Sequence, residues 1–247
     1  MQSSISAREA SWLGAFGRVL FPPHMRCSLC SEPLDQPLDD GLCDACLAQM
    51  PAIGRIFCPR CGLPEIHDAK ECPDCSLLPG SFSINRSLWR YRDPASKVVQ
   101  LYKFQKRIHL AVIFAEQMAA KLFCILPREY DIITYVPMHP QAERQRTYNQ
   151  SEVLARELAY RVGLPCEGML QKAWLPVAQH QLSRQERLEN LRDKAFSPDS
   201  KAQKQGLIKG RVLLVDDVFT TGATAHHCSL ILSNNGAEEV AVLTIAR

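Results

Sequence analysis

From residue 81 onward the apolar positions of this chain alternate between two spacings. Val98, Leu101, Tyr102 and Phe104 recur at helical intervals behind Asp93-Pro94, a pair suited to cap and start a helix. Further helices are predicted over residues 108–125, over 149–162 with Gly163 closing the last turn, and over 223–235 with Gly236 beyond. Between them lie short β-branched runs: residues 130–137, stopped by Pro137, then 211–217 and 240–246. Strand, helix and strand in series imply right-handed crossovers and a parallel sheet with helices on both faces. Ligands of such sheets sit at the C-terminal ends of strands. Residues 201–209, polar and poor in large apolar groups, read as a surface loop, and 179–192 as a mobile loop or an amphipathic helix.

Ahead of residue 81 the texture is different. Trp12, Leu13, Phe16, Val19 and Leu20 share one helical face, which predicts a short N-terminal helix within a lead-in of residues 1–26. Residues 27–80 carry eight of the 11 cysteines as four pairs of Cys-x2-Cys type: Cys27 and Cys30, Cys43 and Cys46, Cys58 and Cys61, Cys72 and Cys75. Two thiolates from one such turn face one tetrahedral ion, so two turns complete a structural Zn²⁺ site. Disulfides are the alternative, but no secretory signal accompanies them. Sequential pairing, with Cys27, Cys30, Cys43 and Cys46 on one ion and Cys58, Cys61, Cys72 and Cys75 on another, closes locally; a cross-brace joining the first turn to the third remains open. Four thiolates leave no open position, so the metal is expected to hold the fold. His67 reads as exposed, and the isolated Cys124, Cys166 and Cys228 as buried small hydrophobes.

Composition changes this picture little. With 247 residues, 46% of them hydrophobic, the chain can fill one core and leave room for a smaller module, which is taken as a double zinc ribbon over 27–80 and an α/β domain over 81–247. The net charge of +3 is unevenly spread: residues 1–80 hold 6 Lys/Arg against 10 Asp/Glu, and residues 81–247 hold 23 against 16. A basic excess suits an anionic ligand, and the stretch 86–107, with Trp89, Tyr91 and Tyr102 among its cations, is the better candidate for nucleic acid than the acidic ribbon. No run of about 18 apolar residues occurs, so no membrane span is expected and the localisation is read as cytoplasmic.

The sharpest chemistry lies at the end of the 211–217 strand. Asp216 and Asp217 emerge there, and Val218, Phe219, Thr220, Thr221, Gly222, Ala223 and Thr224 turn into the next helix. Gly222 lets the backbone approach closely, the amides can converge, the threonines add hydroxyls, and the helix adds the positive end of its dipole: a cradle for phosphate. Acids beside a phosphate need another partner, and the hydroxyls of a ribose or a Mg²⁺ ion between the two suit them. The residues therefore describe a ribose 5-phosphate site.

Four aliphatics, two aspartates, Val218 and Thr-Thr-Gly-x-Thr resemble the signature of type I phosphoribosyltransferases, the loop that binds phosphoribosyl pyrophosphate. Tyr135-Val-Pro-Met-His139 and Arg144-Gln-Arg-Thr-Tyr-Asn149-Gln150, with Gln179, Arg187, Asn190 and Phe196, are similar to segments of the ComF proteins, the GntX and competence-protein group. That resemblance spans nearly the whole chain and implies a type I phosphoribosyltransferase-like parallel sheet behind a small cysteine-rich double zinc ribbon. It implies that Asp216 and Asp217 carry the chemistry, that Val136, Pro137, Met138 and His139 face the pyrophosphate, and that Arg144, Arg146, Arg184 or Arg187 neutralise it, with Mg²⁺ on the ligand. Lys103, Lys106 and Arg107 could also reach phosphate. Where the family usually has a glycine and phenylalanine before Asn-Gln, this chain has Thr147-Tyr148. The function implied is binding of phosphoribosyl pyrophosphate or a ribose 5-phosphate group in DNA uptake or utilisation, with single-stranded DNA and DNA-uptake proteins as partners. The alternatives are an active phosphoribosyltransferase on an unidentified base, or a silent sensor of phosphoribosyl pyrophosphate.

Overall fold

The computed structural model describes residues 26–34, 41–66, 71–77, 80–125, 129–172 and 195–247. The expected N-terminal helix, His67, Gln179, Arg184, Arg187, Asn190 and the 179–192 segment lie outside the described residues. The chain divides into two compact units, Met1–Gln49 and Met50–Arg247.

Both units contain the same small motif. In the first, Arg26 and Pro33 bridge as a tight hairpin, Cys27 N donates to Glu32 O at 2.8 Å, and Ser31 turns back through φ 64°. Helix α1 (Asp44–Ala48) then starts from Cys43. In the larger unit Phe57 and Pro64 make the equivalent bridge, Cys58 N donates to Leu63 O at 2.8 Å, Gly62 takes φ 74°, and α2 (Pro73–Leu77) follows. Each copy is a knuckle followed by a single helical turn.

The rest of the larger unit is built on a parallel sheet. Its strands are β1 (Ile84–Trp89), β2 (Ile132–Tyr135), β5 (Gly210–Val218) and β6 (Ala237–Ala246), in the order β1-β6-β5-β2. Cys166 adds a single parallel bridge to Ile133 on the far side of β2. The helices are α3 (Ala95–Phe104), α4 (Leu110–Ile125), α5 (Pro140–Arg146), α6 (Gln150–Val162), α7 (Ser200–Lys204) and α8 (Ala223–Asn234). A two-stranded antiparallel ribbon, β3 (Leu170–Lys172) with β4 (Phe196–Pro198), completes the described elements.

Strand alternation sorts the core onto two faces. Val212, Leu214, Val240 and Val242 join Cys228 and Leu232 of α8, and the second cysteine set, in one buried cluster. Leu213, Val215, Ala241 and Leu243 are equally buried and point the other way, toward the side of the sheet that α6 and α3 pack against. The parallel sheet with helices on both faces is thus as expected, and β2, β5, β6, α3, α4, α6 and α8 fall within a few residues of their predicted bounds.

Among the elements that the sequence pattern does not announce, three bear on the site. Strand β1 carries Asn85, Arg86 and Ser87 where an apolar alternation would show. Tertiary partners take up much of that polarity: Asn85 Nδ2 donates to Cys61 O at 2.9 Å, Arg86 to Pro59 O at 3.0 Å, and Ser87 meets Thr244 Oγ1 at 2.6 Å. Helix α5 has its own local signal in Pro140 at the first turn and His139 as N-cap, whose Nδ1 accepts from Gln141 N at 3.1 Å. The loop expected over 201–209 holds for 205–209 and is corrected over 201–204: Asp199 accepts from Lys201 N and Ala202 N, both at 2.9 Å, and starts α7, whose Ala202 is buried. Trp89 and Tyr102, considered for stacking on nucleic acid, are core residues.

Thr147 ends α5 in the left-handed region at φ 75°, with its N–H on Glu143 O at 2.6 Å. The special backbone conformation that a glycine would adopt freely is therefore kept by a β-branched residue, at a cost of about 1–2 kcal/mol. Thr147→Gly is expected to raise stability by about 0.5–1 kcal/mol, the remainder being offset by glycine's unfolded-state entropy, as read by urea unfolding.

Candidate functional site

Each cysteine set forms one cluster in the sequential pairing. The sulfurs of Cys27, Cys30, Cys43 and Cys46 lie within 4.8 Å of one another, as do those of Cys58, Cys61, Cys72 and Cys75. Four sulfurs about 2.3 Å from a tetrahedral ion are separated by about 3.8 Å. Cys30 and Cys43 stand 3.7 Å apart, and Cys61 and Cys72 3.5 Å. Burial alone would push the Cys58 thiol up, yet backbone hydrogen bonds from Cys61, Cys72 and Arg60 bring it down to about 7. Cys75 is pushed well above its ordinary value, by burial and then by Cys61. Four thiols so placed cannot all ionise without a cation among them, and the geometry fits Zn²⁺ at both sites. With every ligand position filled by sulfur, such ions hold structure.

The second centre is the C-terminal end of β5. Alternation sends Asp217 to the face occupied by α3, where Lys103 Nζ reaches its Oδ1 at 2.8 Å with both side chains about four-fifths buried, at 20% and 17% exposure. Asp216 keeps Oδ1 for two donors, Ser151 Oγ at 2.9 Å and Asp217 N at 2.8 Å. Burial, reinforced by the neighbouring Asp217 carboxylate, pushes the Asp216 carboxyl up to about 7. The pair is thus under-compensated, with one ammonium for two acids.

The segment that positions these partners is Tyr148-Asn149-Gln150-Ser151. Tyr148 Oη donates to Tyr102 O at 2.8 Å, and Gln150 Nε2 to Lys103 O at 3.1 Å, which pins the end of α3. Asn149 caps α6 through Ser151 N at 3.1 Å and donates to Val136 O at 3.0 Å, tying that cap to the end of β2. Sequence reasoning gave Lys103 only a loose chance of reaching phosphate. Its acid partner is invisible locally, because the two residues meet only when β5 and α3 are assembled.

Beyond the acids the chain turns sharply into α8. Gly222 sits at φ 81° as the N-cap residue, and a Cβ there would lie 2.7 Å from Phe219 Cζ, so both the conformation and the space require glycine. Thr221 Oγ1 accepts from Ala223 N at 3.4 Å. Among the described residues no backbone carbonyl accepts from the N–H groups of Thr220, Thr221 and Gly222. Thr220 and Thr221 are exposed, Thr224 is half-buried, and Phe219 is buried beneath them. Val218 closes β5 opposite Ala246. These amides stand at the start of a 12-residue helix, directly after the two carboxylates, where the helix dipole is positive.

The other predicted residues are placed less uniformly. Val136 and Pro137 are buried, with Val136 N on Val215 O at 3.1 Å, and Met138 and His139 are half-exposed at the mouth of the β2–α5 turn. Arg144 is exposed on α5. The Arg146 guanidinium lies 5.0 Å over the ring of Phe104, which is itself 67% exposed. In the basic stretch 86–107, Arg86 is taken up by Pro59 O and Asn85 O, Arg90 by Glu65 at 2.6 Å, Lys97 by Asp93 at 2.9 Å and Lys103 by Asp217. Among the described residues no helix is long and apolar enough to cross a membrane.

Comparison with known proteins adds the following. Residues 16–76 match the family model described as a double zinc ribbon domain. DNA utilization protein YhgH of Salmonella typhi is 32% identical over 227 residues, covering 90% of this chain and 96% of that protein. Competence protein F of Haemophilus influenzae is 28% identical over 218 residues, covering 84% and 91%. Among solved structures, glutamine phosphoribosylpyrophosphate amidotransferase from B. subtilis, complexed with ADP and GMP, aligns with a TM-score of 0.40 at 23% identity, over 59% of this chain and 30% of that one.

Two outcomes are expected of these centres. The purified protein should hold two Zn²⁺ per chain by elemental analysis, and Cys27→Ser or Cys58→Ser should each lose one. For Asp216 the folded state binds its proton more tightly than the unfolded chain, so stability falls as pH rises from about 4 to about 7. Asp216→Asn keeps an acceptor for Ser151 and Asp217 N and removes that slope. In urea unfolding it should be about 1–2 kcal/mol more stable than the wild type at pH 8, a discounted figure for a carboxyl that water still reaches, with the gap closing toward pH 4.

Proposed function

Since this chain belongs to the ComF family of competence and DNA utilization proteins, we propose that it binds a ribose 5-phosphate group, as carried by phosphoribosyl pyrophosphate, in the handling of DNA during uptake or utilisation. The observation that carries the reading is the junction at the end of β5. There an under-compensated acid pair adjoins a turn whose amides have no backbone acceptor among the described residues. A ligand satisfying both must offer hydroxyl donors to carboxylates and, a few atoms away, an anion to N–H groups. A ribose 5-phosphate does this with its vicinal hydroxyls and its phosphate.

Each residue then has a role in the proposal. Asp216 and Asp217 take the sugar hydroxyls, and Thr220, Thr221, Gly222, Ala223 and Thr224 hold the phosphate with backbone N–H and hydroxyl groups. Lys103 neutralises Asp217 before the ligand arrives and is placed to meet an anionic substituent on the sugar afterwards. The β2–α5 turn, Val136 to His139, lies at the C-terminal end of the adjoining strand, the position from which a pyrophosphate would be approached, with Arg144 and Arg146 on the helix behind it. Mg²⁺ would screen the pyrophosphate from the two carboxylates. The relatives' printed names, competence and DNA utilization, supply the cellular setting.

Isothermal titration with ribose 5-phosphate and with phosphoribosyl pyrophosphate, each with and without Mg²⁺, tests this. Both should bind, and Mg²⁺ should favour the pyrophosphate compound. Asp217→Asn should weaken each by about 10–100-fold, the worth of one hydrogen bond to a charged group. Absence of heat for both compounds at millimolar concentration would remove the proposal.

A further inference from the structure

The threonine turn is not supported from its own side of the fold alone. Phe219, the residue under Gly222, is buried, with its N–H on Ala246 O at 2.9 Å. One face of its ring carries the Arg247 guanidinium, 4.7 Å from the centroid, and Phe82 meets it edge-on at 5.8 Å. Both of these neighbours lead to the second cysteine cluster. Arg247 Nη1 donates to Cys61 O at 3.3 Å, the same carbonyl that receives Asn85 Nδ2. Phe82 lies under the Arg60 guanidinium at 5.0 Å, and Arg60 Nη1 donates to Cys75 O at 2.9 Å. Two metal-ligand residues therefore hold, through their carbonyls, the two cations that clamp the aromatic pair beneath the turn.

Chemistry makes this link responsive to metal. Four thiolates around Zn²⁺ carry a net negative charge, which favours guanidinium groups close by. The Arg247 Nε is buried and finds no hydrogen-bond acceptor among the described residues, so its placement depends on Cys61 O, the ring and the cluster's charge. Without the ion the knuckle loses its closure, and Cys61 O loses its fixed position. The contact is tight at the other end: the space at Gly222 leaves no slack against the Phe219 ring, so a shift of that ring moves the turn.

We propose that Arg247 is a positioning residue that couples the second cysteine site to the threonine turn, so that metal on Cys58, Cys61, Cys72 and Cys75 tightens binding of a sugar 5-phosphate at Thr220 to Thr224. This rests on the ribose 5-phosphate reading above. The second ion then does more than stabilise the unit that contains it: it sets the geometry of a ligand site on the other side of Phe219. Because coupling between two sites is reciprocal, the sugar phosphate must hold that ion more firmly by the same factor.

The full-length, zinc-loaded protein provides the test, with ribose 5-phosphate as the probe and a colorimetric chelator reporting zinc release. In the wild type, saturating ribose 5-phosphate should slow release of one of the two ions about 5–10-fold and leave the other unchanged; a Cys27→Ser protein identifies the slowed ion as the one on Cys58 to Cys75. Arg247→Met should still carry two ions, bind ribose 5-phosphate about 5–10-fold more weakly, and lose the effect of ligand on zinc release. Arg247→Lys, which keeps the charge but not the planar stack, should fall between. Core packing alone would lower the stability of Arg247→Met without linking ligand to metal. Wild-type binding of ribose 5-phosphate with both release rates unchanged overturns the coupling and leaves the ligand site standing. No binding by the wild type removes both.

Discussion

Two carboxylates on consecutive residues at the end of a buried strand are the constraint around which the larger unit is organised. Left alone they would repel each other in a medium that screens poorly, and a strand as apolar as β5 offers them nothing. Lys103 supplies the missing charge at 2.8 Å from Asp217, and Ser151 supplies a hydroxyl to Asp216. One cation for two acids leaves the pair partly compensated. That incomplete balance adds to the burial that raises the Asp216 carboxyl, a state that a stable core would avoid and a binding site can use.

The compensation has to be held in place, and much of the polar network does so. Lys103 stands at the last turn of α3, a helix end that would fray if its carbonyls were unpaired. Tyr148 and Gln150 take those of Tyr102 and Lys103, and Asn149 fastens the same segment to the end of β2. The resemblance assigns Arg144 and Arg146 to the pyrophosphate and gives Tyr148 no role. In the fold Tyr148, Asn149 and Gln150 are ties between three elements, and both arginines precede them on α5.

On the other face of the sheet the second cysteine knuckle meets the core directly. Its four cysteines share a buried cluster with Val212, Leu214, Val242 and α8, and strand β1 is polar because it serves as the seam to that knuckle. The first knuckle repeats the same hairpin and helical turn in its own compact unit. The second copy is held by Arg60, inside its first cysteine turn, and by Phe82, Asn85 and Arg247 outside the pairs.

What could be read from the chain alone is what is decided over a few residues. The Cys-x2-Cys turns imply tetrahedral sites because each turn presets two ligands. Asn149 and Gly163 bound α6 through local caps, and the Asp-Asp and Thr-Thr-Gly-x-Thr run forms a strand-to-helix turn. Helix α5 carries its signal in Pro140, whereas β1 has none, since a strand's alternation disappears when its polar side chains are bonded to the second knuckle. The tertiary structure alone decided which cation meets which acid and what lies beneath the turn. Lys103 with Asp217, and Cys61 with Arg247 and Phe219, are far apart in the chain. Such pairs depend on where β5, α3 and the knuckle come to rest, and packing a close-fitted core fixes that position only when all of them are present at once.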